Sequence, residues 1–269
     1  MTVPMPQAPA APLQLIDMVF PADTNHHGTL FGGVALAHMD KIAFLAAARH
    51  GRAPFVTASS EKIDFAAPAH RGEMIEATAR VIRVGRSSLD VEVELIAEGT
   101  VNAERRLCTR GRFTLVAVKG PDTRLPLPPL QDAAPTDDGR LHMVDMVFPG
   151  ETNHYGTLYG GDALKMMGKA AFIAATRCSR AVIVMAASHR IDFVSPVHEG
   201  EMIELISQVR EIGRSSILTD VELWAENLLD GARRHAATAT FTMVSVDDEG
   251  RAKPIDRDSA AQRLFTQRL

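Results

Sequence analysis

Three kinds of residue stand at fixed spacing near the start of this 269-residue chain: Asn25, the glycine pair Gly32 and Gly33, and the acid Asp40. An amide, a glycine-opened helix start and a mid-helix carboxylate are the parts needed to work on a carbonyl. Free N–H groups and the positive end of the helix dipole suit a developing oxyanion. The string Asn-His-x-Gly-Thr-Leu-x-Gly-Gly recurs at Asn153 to Gly161, with Gly160 and Gly161 as its glycine pair, but Gly168 stands where Asp40 would recur. Alone, Asn-x-x-Gly is an ordinary turn, and a helical aspartate is ordinarily solvated or ion-paired. The fixed spacing lifts the set above that reading. Asp40 also lies among Met39, Ala43, Phe44 and Ala47, where a buried carboxylate is costly unless hydrogen-bonded, and it has no basic residue one turn away. Lys41 beside it is free to reach water.

The elements that must position these residues are written twice. Asp17 to Glu98 realigns without a gap on Asp145 to Glu226, and more than half of the aligned pairs from Leu13 to Glu98 are identical. Units of this length are of domain size, so the chain reads as a tandem pair rather than a solenoid. Each copy predicts a strand (Leu13 to Phe20), a glycine-punctuated loop (Ala22 to Leu30) and an alanine-rich helix (Phe31 to Arg49) that is apolar nearly all round and therefore buried. Four strands follow, at Phe55 to Phe65, Glu73 to Val84, Ser88 to Ala97 and Arg106 to Val118, bounded by Pro68, Gly72, Gly85 and Gly99. One long helix followed by an antiparallel meander predicts an α+β unit in which the sheet curls around the helix. The expected boundaries are a flexible N-terminus over 1–12, domains over 13–118 and 141–246, an extended Pro-rich linker over 119–140, and a charged C-terminal tail over 247–269 carrying a peripheral helix.

Composition narrows the classes. The formal charge of −4 offers no net attraction to polyanions, which argues against nucleic acid. No apolar run is long enough to cross a membrane as a helix. Residues 1–13 contain no Lys or Arg, against a secretory or transit leader, so a cytoplasmic protein is expected. Cys108 and Cys178 fall at non-equivalent positions of the repeat, so free buried thiols are expected rather than a disulfide or zinc site. No histidine pair at ligand spacing is shared by the copies, so no metal is expected: His27 becomes Tyr155, and His38 becomes Met166.

The combination Asn-x-x-Gly-x-x-x-Gly-Gly-x-x-x-x-x-x-Asp, then Ile63-Asp64-Phe65-x-x-Pro68, Gly72-Glu73 and Val84-Gly85-Arg86-Ser87-Ser88, resembles the hot-dog-fold acyl-CoA thioesterases of the YciA and brain acyl-CoA hydrolase type. The resemblance covers both copies. It implies two tandem hot-dog domains, each a long central helix wrapped by an antiparallel sheet, paired so that active sites form across the pair. Carried over, one composite site joins Asp40 of the first half with Asn153, Gly160 and Gly161 of the second. The reciprocal site joins Asn25, Gly32 and Gly33 with Gly168 and lacks its acid. The resemblance further implies that Arg86, Ser87 and Ser88, or Arg214, Ser215 and Ser216, border the CoA cleft, the arginine toward phosphates; an exposed turn is the plainer reading of either segment.

The expected activity is hydrolysis of fatty acyl-CoA to free fatty acid and CoA, with no cofactor because CoA is part of the substrate, by a homotrimer of tandem hot dogs. Two alternatives stand beside it. A hot-dog hydratase or dehydratase removes an α-proton and generally uses a histidine, whereas here the helix acid comes with asparagine. A non-catalytic acyl-CoA binding or sensing protein is suggested by the degenerate half, and Asp40 opposite an intact Asn153 weighs against it.

Overall fold

In a computed structural model, the structure describes residues 12–118, 126–130 and 138–266; residues 1–11 of the expected N-terminal segment over 1–12, most of the linker and the last three residues lie outside them. The apolar run at the start of each half forms a short strand, β1 (Leu13–Met18), which Pro21 stops by opening a single 3-10 turn. The glycine pair then opens helix α1 (Gly32–Gly51), which ends where Arg52 adopts a left-handed conformation. After it come β2 (Phe55–Ser60), the short β3 (Asp64–Phe65), β4 (Met74–Val84), β5 (Ser88–Glu98) and β6 (Arg105–Ala117). The second half repeats the plan with β7 (Leu141–Met146), α2 (Gly160–Ser179), β8 (Ile183–Phe193), β9 (Met202–Ile212), β10 (Ser216–Glu226) and β11 (Arg233–Ser245), and the chain closes on α3 (Arg257–Thr266).

The sheet is antiparallel throughout, in the order β1-β4-β5-β6-β2 in the first half and β7-β9-β10-β11-β8 in the second. Three strands of each half form the expected meander, β4-β5-β6 and β9-β10-β11. The strand that leaves the helix departs from a simple meander: β2 and β8 pair with the last strand and become sheet edges. Alternation along β5 sends Leu89, Val91, Val93 and Leu95 inward, each at most 1% exposed, onto Met39, Ile42, Ala43 and Ala47 of the helix. Small helical side chains let the backbone of α1 approach the sheet closely, and the sheet curls around it.

The two cores interlock. Val144 and Met202 of the second half pack into the first core, and Ile16 and Met74 of the first half pack into the second. Ion pairs repeat this exchange about a pseudo-twofold axis. Lys41 bonds Asp145 and Lys169 bonds Asp17, both at 2.8 Å. Arg177 reaches Glu76 and Glu98 at 2.6 Å, and Arg180 holds Glu98 at 2.7 Å as its mirrored counterpart Arg52 holds Glu226 at 2.7 Å. Burial alone would push the carboxyls of Glu76 and Glu98 up; the neighbouring guanidiniums, Arg177 first, outweigh it and hold both below their ordinary value.

Two segments cap the helix ends in parallel. Leu127 N–H donates to the Arg86 carbonyl and Ile255 N–H to the Arg214 carbonyl, so residues after β6 and after β11 lie against the same corner of each half. The peripheral helix in the tail is present as α3, held by Arg263 on the Cys178 carbonyl at 2.7 Å. Both cysteines are free and buried, and burial pushes the Cys178 thiol up to about 11.

Candidate active site

The two asparagines build identical loops. Asn25 Nδ2 donates to Thr29 Oγ1 at 2.9 Å, while its Oδ1 accepts from the N–H groups of His27 and Thr29. Asn153 repeats this with Thr157 and Tyr155 at the same distances. Each side chain therefore holds a turn, and because an amide nitrogen carries two hydrogens, each keeps one donor for a ligand.

The glycine pairs divide the labour. At the second glycine of each pair, a Cβ would strike the ring of the residue that caps the helix, Phe31 against Gly33 and Tyr159 against Gly161, each at 2.7 Å. Only glycine fits beneath those rings. Beyond them, the N–H groups of Gly160 and Gly161 have no acceptor among the described residues, since the first intrahelical bonds in α2 come from Asp162 and Ala163. Where the halves differ is at the first glycine. A Cβ on Gly32 would meet the Phe65 ring at 3.7 Å, an ordinary van der Waals contact, whereas one on Gly160 would have nothing within 4 Å.

That opening leads into a cavity of about 340 Å³ between the first turn of α2, the 193–197 segment and the strands β10 and β11. Its floor is Leu223, Ala236 and Ala237, none more than 1% exposed. A β-bulge makes this floor: Leu223 pairs with Ala237 but Trp224 pairs with His235, so Ala236 is the extra residue and two consecutive side chains turn inward.

Asp40 occupies the middle of α1 beside edge strand β2. Its carboxylate is half-exposed rather than immersed in the core, because β2 is an edge and leaves that flank of the helix open. Thr57 on β2 donates to Asp40 Oδ1 at 2.8 Å and fixes the carboxylate, while Oδ2 makes no hydrogen bond among the described residues. Sequence reading missed Thr57; its signal was that the two halves differ at both positions of the pair. Gly168 and Met185 stand where Asp40 and Thr57 stand, and Met185 Cε lies 2.7 Å from where a Cβ on Gly168 would be. The space that a carboxylate would take is filled by a thioether.

Among the described residues no hydrogen bond joins Asp40 to Asn153. Their elements are joined instead: the Lys41 ammonium bonds Asp145 at the end of β7 and lies 5.4 Å over the ring of Phe148, from which the chain runs into the Asn153 loop. The expectation that Lys41 simply reaches water is corrected by this pair. The turns of Arg86, Ser87 and Ser88 and of Arg214, Ser215 and Ser216 are the β4–β5 and β9–β10 hairpins. The Ser87 and Ser215 carbonyls are spent on Ala117 and Ser245, and both guanidiniums are exposed. Through the pairs Leu89 with Leu115 and Leu115 with Thr57, the Arg86 turn lies two strands from Thr57, about 10 Å across the sheet.

The comparisons agree on kinship. The acyl-CoA hydrolase of Agrobacterium tumefaciens superposes with a TM-score of 0.83 at 48% identity, covering 91% of this chain and 98% of that one. A Bacillus subtilis protein named uncharacterized acyl-CoA thioester hydrolase YkhA is 40% identical over 110 residues, 41% of this chain and 64% of its own. Mouse acyl-coenzyme A thioesterase 11 is 27% identical over 289 residues, 90% of this chain. The chain thus spans less than two thirds of these two curated relatives, 64% of the first and 49% of the second. The family model described as the thioesterase superfamily matches twice, over residues 27–104 and 155–232. With one match in each half of a twice-written hot-dog fold, the chain belongs to the thioesterase superfamily.

Proposed function

We propose that this chain hydrolyses fatty acyl-CoA to free fatty acid and CoA at one composite site per chain, built from Asp40 and Thr57 of the first half and Asn153, Gly160 and Gly161 of the second. The observation that carries the reading is the complementarity of the losses. In the half that keeps the acid the Phe65 ring lies within van der Waals reach of a Cβ built on Gly32, whereas in the half that lost the acid the equivalent Phe193 stands clear of Gly160 and lines the cavity. The thioester carbonyl accepts from the spare Asn153 amide hydrogen and a Gly160 or Gly161 N–H. Each such donor contributes about 3 kcal/mol as charge develops on oxygen. Asp40, held by Thr57, presents its second oxygen either to a water whose proton it takes or to the carbonyl carbon as nucleophile. Both routes expel the CoA thiolate; the first gives the carboxylic acid directly, and the second gives a mixed anhydride with Asp40 that a water then hydrolyses to the acid and the free carboxylate. Transfer of labelled oxygen from solvent into Asp40 in a single turnover separates them. No cofactor or metal enters this chemistry.

The Arg86 turn, on the same half as Asp40, is the one assigned to CoA phosphates, and the reciprocal set of Asn25, Gly32, Gly33 and Gly168 is read as inactive. A cytoplasmic homotrimer completes the proposal: the exposed edge strands β2 and β8 carry Val56 and Val184 outward and offer surfaces for neighbouring copies. Release of free thiol from a panel of acyl-CoAs tests the activity. The wild type should turn over and Asp40→Asn should lose at least about 10²-fold; a folded Asp40→Asn protein with undiminished turnover would overturn the assignment.

A further inference from the structure

We infer that the cavity behind Gly160 receives the acyl chain, and that Ala236 and Ala237 set its capacity to a medium-length saturated chain. This rests on the hydrolase reading above. The carbonyl held at the Gly160 N–H would sit at the cavity mouth, so the carbons beyond it continue inward. No ionisable side chain lines the space.

The polar groups of the wall are already engaged. The N–H groups of Val194 and Ser195 donate to the Ala236 carbonyl, Leu158 N–H donates to Val197, and the Ser195 hydroxyl donates to the His235 carbonyl at 2.6 Å. A pantetheine arm would leave its two amides unpaired against such a wall, whereas a hydrocarbon chain needs no partner. If a methylene fills about the volume of a water in the liquid, about 30 Å³, the 340 Å³ space admits roughly eleven carbons at most.

The same bulge in the first half shows what limits that volume. Cys108 and Thr109 stand in place of Ala236 and Ala237, with Thr109 tied to the Asp64 carbonyl, and Phe65 lies against the helix start. The fold thus already accommodates the bulkier pair at this bulge. Writing it into the second half as Ala236→Cys with Ala237→Thr fills the floor with side chains the backbone can hold.

The test compares kcat/KM for acetyl-, hexanoyl-, octanoyl-, decanoyl- and palmitoyl-CoA in the wild type and in that double variant. Burial of each added methylene should raise wild-type kcat/KM about fourfold up to decanoyl-CoA, with no further gain for palmitoyl-CoA. In the variant, octanoyl- and decanoyl-CoA should fall at least about tenfold while acetyl-CoA stays within about twofold. If the double variant fails to fold, Ala163→Leu, which projects from the first turn of α2 into the same space, should give the same profile. A wild-type profile indifferent to chain length, or a variant that slows every substrate alike, would overturn the pocket assignment and leave the hydrolase reading standing. The converse failure is separable by binding: decanoate should raise the Tm of the wild type and not of the double variant. If it does so while no acyl-CoA is hydrolysed, the hydrolase reading falls and the pocket remains.

Discussion

The first half of the molecule holds a carboxylate on its helix, a threonine to orient it, and a phenylalanine against its helix start. The second half holds a glycine and a methionine where the acid and threonine would be, and an open helix start with a cavity behind it. These differences sit on a shared backbone, down to the 3-10 turn, the asparagine loop and the left-handed residue that ends each helix. They are also correlated. Met185 occupies the space beside Gly168, and Cys108 and Thr109 occupy the bulge that Ala236 and Ala237 leave small. A site made from one contribution of each half needs only one acid and one open helix start, and the parts each half has lost belong to the reciprocal site.

Exchanging parts between the halves should break this pattern, in descending order of effect. Writing the second half's pair into the first, Asp40→Gly with Thr57→Met, should lower kcat at least about 10²-fold with the melting temperature preserved, because α2 and β8 already carry that pair. Turnover and thermal melts on one preparation check it.

Next in size is a stability difference between mirrored arginines. Arg177 serves two carboxylates that are almost wholly buried, so Arg177→Ala should cost about 3 kcal/mol in urea unfolding, the low end for uncovering a buried charge because Arg105 and Arg180 remain. Arg49 lies 3.6 Å from a Glu226 that Arg52 already holds, so Arg49→Ala should cost no more than about 1 kcal/mol. The pH dependence follows with its sign. Glu76 and Glu98 titrate lower folded than unfolded, so their contribution is present above the ordinary glutamate value and is lost as pH falls through the depressed ones. Acid unfolding in that window should therefore be less steep in Arg177→Ala than in the wild type.

Smallest is the attempt to restore the second acid. Gly168→Asp alone should give no gain, because the carboxylate meets Met185 and finds no hydroxyl. Gly168→Asp with Met185→Thr should give at most a doubling of turnover per chain, and less if the Phe65 ring beside Gly32 hinders the substrate. A clear gain from the single substitution would show that Met185 is no obstacle.

Much of the architecture was legible because its signals are local and doubled. Prolines and glycines bound most of the strands, and the helix announces itself by its glycine start and alanine run. The long-range choices were not legible. Nothing in residues 55 to 60 says that β2 will pair with β6 instead of β4, and that choice leaves Asp40 half-exposed. Thr57 is one hydroxyl seventeen residues from the acid, brought to it only by the sheet edge. The cavity depends on two alanines at a bulge, and alanine side chains carry no message about the space they fail to fill. Within the site, the asparagine and the glycine pairs were readable as a set because both halves repeat them; their partition between an open and a covered helix start came only from the aromatic rings around them.

The central claim, that Asp40 works with the second half's asparagine rather than its own, is tested most directly by comparing kcat for Asn153→Ala and Asn25→Ala. The two side chains make the same internal bonds, so the damage to each loop is matched and the difference reports chemistry alone. A composite site predicts that Asn153→Ala loses about 10²-fold or more, the scale of one oxyanion donor, while Asn25→Ala stays close to wild type. Equal losses, or a large loss at Asn25 with none at Asn153, would contradict it.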